Sequence, residues 1–286
     1  MNGSQYGVNS VKEMLDHHGF KFSKSMGQNF LVDKNIPEKI VRLSGIDETC
    51  GVLEVGPGIG ALTVELCRAA GYVTAVELDK RLIPILADTL AGLQNVFVRQ
   101  GDILRIDIKR LVNKSMPGLK YHVCSNLPYN ITSQALAAFI DTGIFEKITV
   151  MVQREVAKRI CAGPGSPDYS AFSVFVNYYM EPVKLFDVAP ECFMPRPGVW
   201  STVLSLNSHA ARLLEGEAEK TFFTIVRAAF GQRRKTLVNA LYSAFGHKMG
   251  KGDIAEIVRQ CGFDAFVRGE TLSIEDFAEL SGYFST

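Results

Sequence analysis

Residues 51–63 constrain this chain more than any other stretch. The apolar run Val52-Leu53 followed by Glu54-Val55 passes directly into three alternating glycines, Gly56, Gly58 and Gly60, and then into a helical pattern that continues to Ala70. That order requires a strand that turns tightly into a helix. Glycines at such a turn let the backbone pass close to a ligand and let the helix lie back on the strand. A second strand-like run, 72–76, ends in Glu77, 21 residues after Gly56, a spacing that suits a carboxylate gripping a ribose diol. Nicotinamide and flavin enzymes share a glycine run with a downstream acid, so the pair by itself leaves the ligand open.

Strands and helices continue to alternate beyond Glu77. A helix is expected over 81–92, with Asp79 near its start and Pro84 delaying its regular part. A strand follows over 96–100, ending in Gly101-Asp102-Ile103. Its end should meet the ends of the first two strands at the ligand crevice of a doubly wound sheet. There Asp102 can accept from an adenine amine while Ile103 covers the ring, or Asp102 is simply a turn residue. A fourth strand spans 121–124, a helix 132–142 with Thr132 or Ser133 as cap, and a fifth strand 147–152. The expected fold is α/β, a Rossmann-like doubly wound sheet.

The flanking regions read differently. Residues 11–17 form one short amphipathic helix, 21–31 a basic segment closed by a Gly turn, and 36–44 a helix with Asn35 as N-cap and Pro37 in its first turn. A basic helix opens at Arg154. The Gly/Pro/Ser-rich loop 162–168 reads as mobile and exposed, and 172–179 is apolar and aromatic. Phe193 heads a stiff, proline-spaced segment through Pro195 and Pro197, and 200–206 reads as a last strand. From about His209 the pattern is wholly helical (217–230, 233–245, 254–261, 274–283). A boundary is therefore expected within 207–213, dividing a sheet domain, 1–208, from a helical domain, 209–286.

With 286 residues, 47% hydrophobic and 21% charged, the chain can bury a sizeable core in one large or two modest domains. Its formal net charge of +1 hides a local asymmetry. Between Lys220 and Lys251 no Asp or Glu occurs, while Arg227, Arg233, Arg234, Lys235 and Lys248 all lie there. Such a stretch suits a phosphate-bearing partner, or a solvated helix face balanced by acids elsewhere. The six cysteines are scattered without a C-x-x-C pair, so neither a disulfide framework nor a metal site is expected. The first residues lack a charged start followed by an apolar block, and no apolar run approaches the ~20 residues of a membrane span. A cytoplasmic protein is expected.

Chemistry enters with Asn126-Leu127-Pro128-Tyr129, which ends the fourth strand. An amide with both donor and acceptor, a stiff turn and an aromatic tip can hold a flat, amine-bearing ring, although a plain strand-end turn uses the same residues. The tetrad resembles that of methyltransferases acting on exocyclic amino nitrogens. The E-x-G-x-G-x-G run beginning at Glu54 resembles motif I of S-adenosylmethionine-dependent methyltransferases and is not the G-x-G-x-x-G of dinucleotide binders. Together with residues 27–31 (G-Q-N-F-L), Phe193-x-Pro195-x-Pro197-x-Val199 and residues 230–237 (F-G-Q-R-R-K-T-L), these motifs are similar to those of the KsgA family of small-subunit ribosomal RNA adenine N6-dimethyltransferases. The resemblance covers residue 21 to the end.

The resemblance implies a cofactor, S-adenosylmethionine, with Asn29 and Leu31 lining its pocket. Gly56 and Gly58 approach its backbone, Glu77 binds the ribose, Asp102 the adenine amine, and Asn126 both cofactor and target base. It implies dimethylation of two adjacent adenosines in a hairpin loop near the 3′ end of small-subunit (16S) RNA, late in 30S assembly, by a monomer. Tyr129 and Phe193 would bracket a flipped-out base, with Asn126 and a carbonyl near Leu127–Pro128 accepting its N–H bonds and no metal taking part. Arg233, Arg234 and Lys235 would contact RNA. Two positions depart from the family pattern: the loop Tyr169-Ser170-Ala171-Phe172-Ser173-Val174, and Gln134 where a proline is common. A large-subunit methylase of the macrolide-resistance type and a non-catalytic RNA-binding assembly factor are the alternatives.

Overall fold

The computed structural model describes residues 7–22 and 27–284. Residues 23–26 of the basic segment and the first six residues of the chain lie outside them. Helix α1 (Val8–His17) leads to the short strand β1 (Phe30–Leu31) and helix α2 (Asn35–Ser44). The expected cap at Asn35 is not used as such. Asn35 is already helical, and the Asp33 carboxylate accepts from both its backbone N–H and its side-chain amide at 2.9 Å. An ionised acceptor serves a helix N-terminus better than an amide can.

The sheet unit then builds in chain order: β2 (Cys50–Val55), α3 (Ala61–Ala69), β3 (Tyr72–Glu77), α4 (Ile83–Thr89), β4 (Val96–Gln100), α5 (Ile108–Ser115), β5 (Lys120–Asn126), α6 (Thr132–Thr142) and β6 (Lys147–Gln153). The helix expected from residue 81 begins as a single 3-10 turn and becomes regular at Ile83, placing Pro84 in the first turn, where a missing N–H costs nothing. Helix α6 matches its expected span, but neither Thr132 nor Ser133 caps it. Ile131 occupies that position without a side-chain bond, and the Thr132 hydroxyl donates back to the Pro128 carbonyl. The unanticipated α5 buries Ile108, Leu111 and Val112 at the i, i+3, i+4 spacing of an amphipathic helix and starts at the Asp107 cap.

Beyond β6 come α7 (Arg154–Ile160), α8 (Ala171–Tyr179), β7 (Met180–Val188), β8 (Phe193–Met194) and β9 (Ser201–Ser208), then the helices α9 (Gly216–Gly231), α10 (Leu237–Phe245), α11 (Lys251–Gln260) and α12 (Ile274–Phe284). Seven strands form one sheet in the order β4-β3-β2-β5-β6-β9-β7, and β1 pairs with β8 separately. Strands β2 to β6 are mutually parallel, whereas β9 runs antiparallel to β6. The chain fills one side of β2 with β3 and β4 and then crosses to β5 on the other side. The crevice of such a switch point lies beyond the carboxyl ends of β2 and β5. Strand β2, at that centre, is buried along its whole length.

The chain clusters into two compact units: residues up to 157 with 183–208, and residues 158–182 with 209–286. Residues 158–182, placed by sequence on the sheet side of a boundary at 208/209, join the helices for a packing reason. Tyr169, Val174 and Tyr178 share one apolar core with Phe222, Ile225, Leu241, Phe277 and Leu280. Tyr169 also donates to the Leu272 carbonyl at 3.1 Å. The loop read as mobile is held within this unit, since Gly165 N–H donates to the Glu270 carbonyl and Arg233 to that of Pro167. The helix expected from residue 233 begins at Leu237, because 232–236 form a turn that Arg233 fixes through Glu270. No helix among the described residues is long and apolar enough to cross a membrane.

Candidate active site

A cavity of about 220 Å³ opens at the carboxyl ends of β2, β3 and β5. Its walls come from five separated stretches: 27–31, 54–62, 76–82, 101–104 and 126–131. Asn29, Leu31, Gly56, Gly58, Glu77, Asp102, Asn126, Leu127, Pro128 and Tyr129 all line it. Phe193 does not. Its side chain is 3% exposed and sits in the apolar core, while its backbone pairs with Leu31. Its segment thereby positions the 29–31 wall of the cavity.

The glycine turn is built for close approach. Gly56 and Gly58 have φ of +69° and +61°, in the left-handed region that side chains resist. A Cβ on Gly56 would meet the Pro128 ring at 3.2 Å, and one on Gly58 the Phe30 ring at 2.9 Å. The turn is therefore pressed against both the tetrad and the N-terminal segment. Glu77, 5% exposed, accepts from Gly58 N–H at 3.2 Å and from Asp79 N–H at 2.8 Å. A carboxylate has about four acceptor sites, so capacity remains for a ligand. Burial raises its pKa, opposed by backbone hydrogen bonds from Asp79, Gly58 and Leu78. Asp102 stands at the end of β4, where its side chain accepts from Leu104 N–H at 3.0 Å.

Asn126 has a defined orientation. Its Nδ2 donates to the Asn29 backbone carbonyl at 3.3 Å. A carbonyl can only be approached by the NH₂ end of the amide, so Oδ1 is left for the cavity. The Pro128 carbonyl already accepts from Ile131 N–H and the Thr132 hydroxyl, both at 3.2 Å. The tetrad's ring is also tethered: the Tyr129 and Ser201 hydroxyls lie 2.7 Å apart, and burial raises the tyrosine pKa, keeping it neutral.

Several participants were given no site role from the sequence. Glu54 is 1% exposed with one carboxylate oxygen unpartnered among the described residues. Burial, reinforced by the Glu77 charge, pushes its pKa up to about 8. Asp79 is clamped by Arg81 at 2.6 Å and by Gln28 at 2.8 Å, and Arg81 chiefly draws its pKa down to about 2. Arg81 also donates to the Lys21 carbonyl and lies 5.0 Å from the Phe20 ring centre. Asp79, two residues after the ribose acid, and Gln28, beside Asn29, were the only sequence pointers to this clamp.

The charge of the cavity selects its ligand. Glu77 and Asp102 line it, the latter with Arg105 at 3.4 Å, beside the protonated Glu54, and no Lys, Arg or His lines it among the described residues. That field repels a pyrophosphate and suits a cationic nucleoside. Among the described residues, no group of three or more His, Cys, Asp or Glu is placed to hold a metal ion.

Comparison with known proteins agrees with this geometry. Residues 19–279 match the family described as Ribosomal RNA adenine dimethylase. This chain belongs to that family. It is 44% identical over 271 residues to the Ribosomal RNA small subunit methyltransferase A of Lachnoclostridium phytofermentans, covering 94% of this chain and 93% of that one. The protein of the same description from Clostridioides difficile is also 44% identical, over 97% and 96% of the two chains. Among solved structures, the 23S rRNA methyltransferase ErmE is similar at a TM-score of 0.71 and 25% identity, covering 90% of this dimethylase-family chain and all of its own. A dimethyladenosine transferase from Plasmodium falciparum shares the fold at a TM-score of 0.74 and 23% identity, over 88% and 95%.

Proposed function

We propose that this protein transfers methyl groups from S-adenosylmethionine to the N6 amines of two adjacent adenosines in the 3′-terminal hairpin loop of small-subunit (16S) RNA, on a 30S precursor late in assembly. One observation carries the reading: an acidic cavity, with no basic residue in its lining among the described residues, opens directly onto an asparagine amide whose oxygen is free to accept from an amine. The residues present fit the cofactor. Glu77 has acceptor capacity for the ribose hydroxyls, Asp102 for the adenine amine, and the Gly56–Gly58 turn leaves room where a side chain would intrude. The Glu54 oxygen that is unpartnered among the described residues leaves one more polar group in the lining, on a side chain that burial holds protonated. Bound there, S-adenosylmethionine supplies an electrophilic methyl group on a sulfonium.

The chain's own residues act on the adenine. An N6 amine is a poor nucleophile because its lone pair is delocalised into the ring. Asn126 Oδ1 accepts one N–H. The second falls to the Leu127 carbonyl, since that of Pro128 is already doubly engaged. Two such bonds draw the nitrogen towards tetrahedral geometry and free its lone pair. Tyr129, with its hydroxyl held by Ser201, offers a ring face for the extruded base. Positioning and exclusion of water supply the rate. The sheet-bearing residues are assigned the chemistry and 209–286, with Arg234 and Lys235 exposed, the RNA contact. The protein acts as a monomer in the cytoplasm.

The test is transfer of labelled methyl from S-adenosylmethionine to unmethylated small subunits, with large-subunit RNA alongside, mapped by primer extension. Two adjacent stops near the small-subunit 3′ end are expected. Label on large-subunit RNA would move the protein to the resistance-methylase type. No label with cofactor bound would leave an RNA-binding role.

A further inference from the structure

Trp200, the chain's one tryptophan, is 44% exposed. Single exposed apolar side chains are ordinary on a protein surface, so it is the neighbours of Trp200 that set it apart. Trp200 immediately precedes Ser201, whose hydroxyl holds the Tyr129 ring. Its backbone carbonyl accepts from Arg154 N–H at 2.9 Å, and the Arg154 guanidinium lies 5.9 Å from its ring centre. Arg154 is exposed and directly follows β6, whose Met151 pairs with Asn126. Trp200 precedes β9, two strands from Asn126 and three residues beyond Val203, the residue in register with it, which is about 10 Å across the sheet and about 10 Å along it. The neighbouring Val199 is 45% exposed. A π-face and a cation thus stand together past the carboxyl end of β6, next to the residue that tethers Tyr129. The nearby Arg196 is held by Glu191, which leaves Arg154 as the cation facing the ring.

We propose that Trp200 is a stacking platform for the base of the nucleotide adjacent to the adenosine held by Asn126 and Tyr129, with Arg154 reinforcing the ring and facing the intervening phosphate. The inference rests on the RNA-methylating reading above and adds to it a residue that holds the strand outside the pocket. Aromatic platforms beside cations are the general device for gripping single-stranded nucleic acid, and every base has a face to offer them. Trp200 touches neither the cofactor cavity nor the reacting amine, so it is a positioning residue for the neighbouring nucleotide.

Two readouts test this. A single tryptophan makes intrinsic fluorescence a direct reporter of stacking. A short RNA hairpin with two adjacent adenosines in its loop should quench the emission, and the same hairpin with an abasic nucleotide beside the target adenosine should quench it far less. In methyl transfer to unmethylated small subunits, Trp200→Ala should raise the KM for RNA on the order of 10-fold, the size expected for one stacked base. Turnover at saturation and affinity for S-adenosylmethionine should stay near wild type, the latter showing that the variant is folded. Trp200→Phe should restore most of the loss, and Trp200→Leu, which keeps apolar bulk without a π-face, should not. Equal quenching by both hairpins, or an unchanged KM in Trp200→Ala alongside normal wild-type methylation, would overturn the platform and leave the enzymatic reading standing. If the wild type transferred no methyl at all, that reading would fall instead, and the hairpin quenching alone would decide the stacking.

Discussion

Asn126 and Glu54 set the chemistry of the cavity in opposite ways. Asn126 presents an oxygen because the Asn29 carbonyl claims its nitrogen. Asn126→Ala should therefore lower kcat on the order of 10²- to 10³-fold, the usual cost of one positioned polar partner, while cofactor affinity by calorimetry changes little. Near-normal turnover would remove the amide from the mechanism. Glu54 is a buried acid whose pKa is raised from 4.5 to about 8. The folded state thus holds a proton that the unfolded chain has released, and stability falls as pH rises from about 4.5 to about 8, by up to about 1.4 kcal/mol per pH unit. Glu54→Gln keeps the shape without the titration. Its ligand-free protein should show a flatter dependence of unfolding free energy across that window, and an unchanged slope would show that Glu54 is not its source.

Among the elements, the short N-terminal stretch before β1 depends on one clamp. Arg81, at the start of the turn into α4, grips Asp79 and also reaches the Lys21 carbonyl and the Phe20 ring. Phe20 and Phe22 in turn meet Phe30, whose ring lies on Gly58. The wall carrying Asn29 and Leu31 is therefore coupled to the glycine turn through side chains that never touch a ligand. Asp79 has a folded-state pKa of about 2, below its ordinary 3.8. Its contribution is present above about pH 4 and is lost as pH falls towards 2. Arg81→Met should lower stability at neutral pH and weaken cofactor binding, with the stability difference from wild type vanishing near pH 2. A difference that persisted there would assign the loss to packing on Phe20.

At the scale of the whole molecule, charge is divided between functions that the net value of +1 conceals. The cavity of the sheet unit is acidic, while 220–251 in the helical unit carries only basic charges. Within the run Arg233-Arg234-Lys235 the roles separate. Arg233 pairs with Glu270 at 2.6 Å and donates to the Pro167 carbonyl, so it braces its own unit, whereas Arg234 and Lys235 are exposed. Reversing Arg234 and Lys235 together should weaken RNA binding and reduce its salt slope by about 2 without shifting the thermal midpoint. Arg233→Glu should lower the midpoint of the helical unit first. If the double reversal left the salt slope unchanged, RNA would contact another surface.

What the amino-acid sequence determined by itself lies in patterns a few residues long. The glycine turn after β2, Glu77 at the end of β3, Asp102 at the end of β4 and the tetrad after β5 were readable because strand and helix periods and glycine conformations are local properties, and parallel strands bring their carboxyl ends together. Contacts between residues far apart in the chain belong to the tertiary structure alone. Only there does Asn29, 97 positions away, orient the Asn126 amide, burial raise the pKa of Glu54, Arg233 pair with Glu270, and Phe193, expected to close over the target base, enter the core. A residue's type states which bonds it can make, and the packing of distant segments decides which of them it does make.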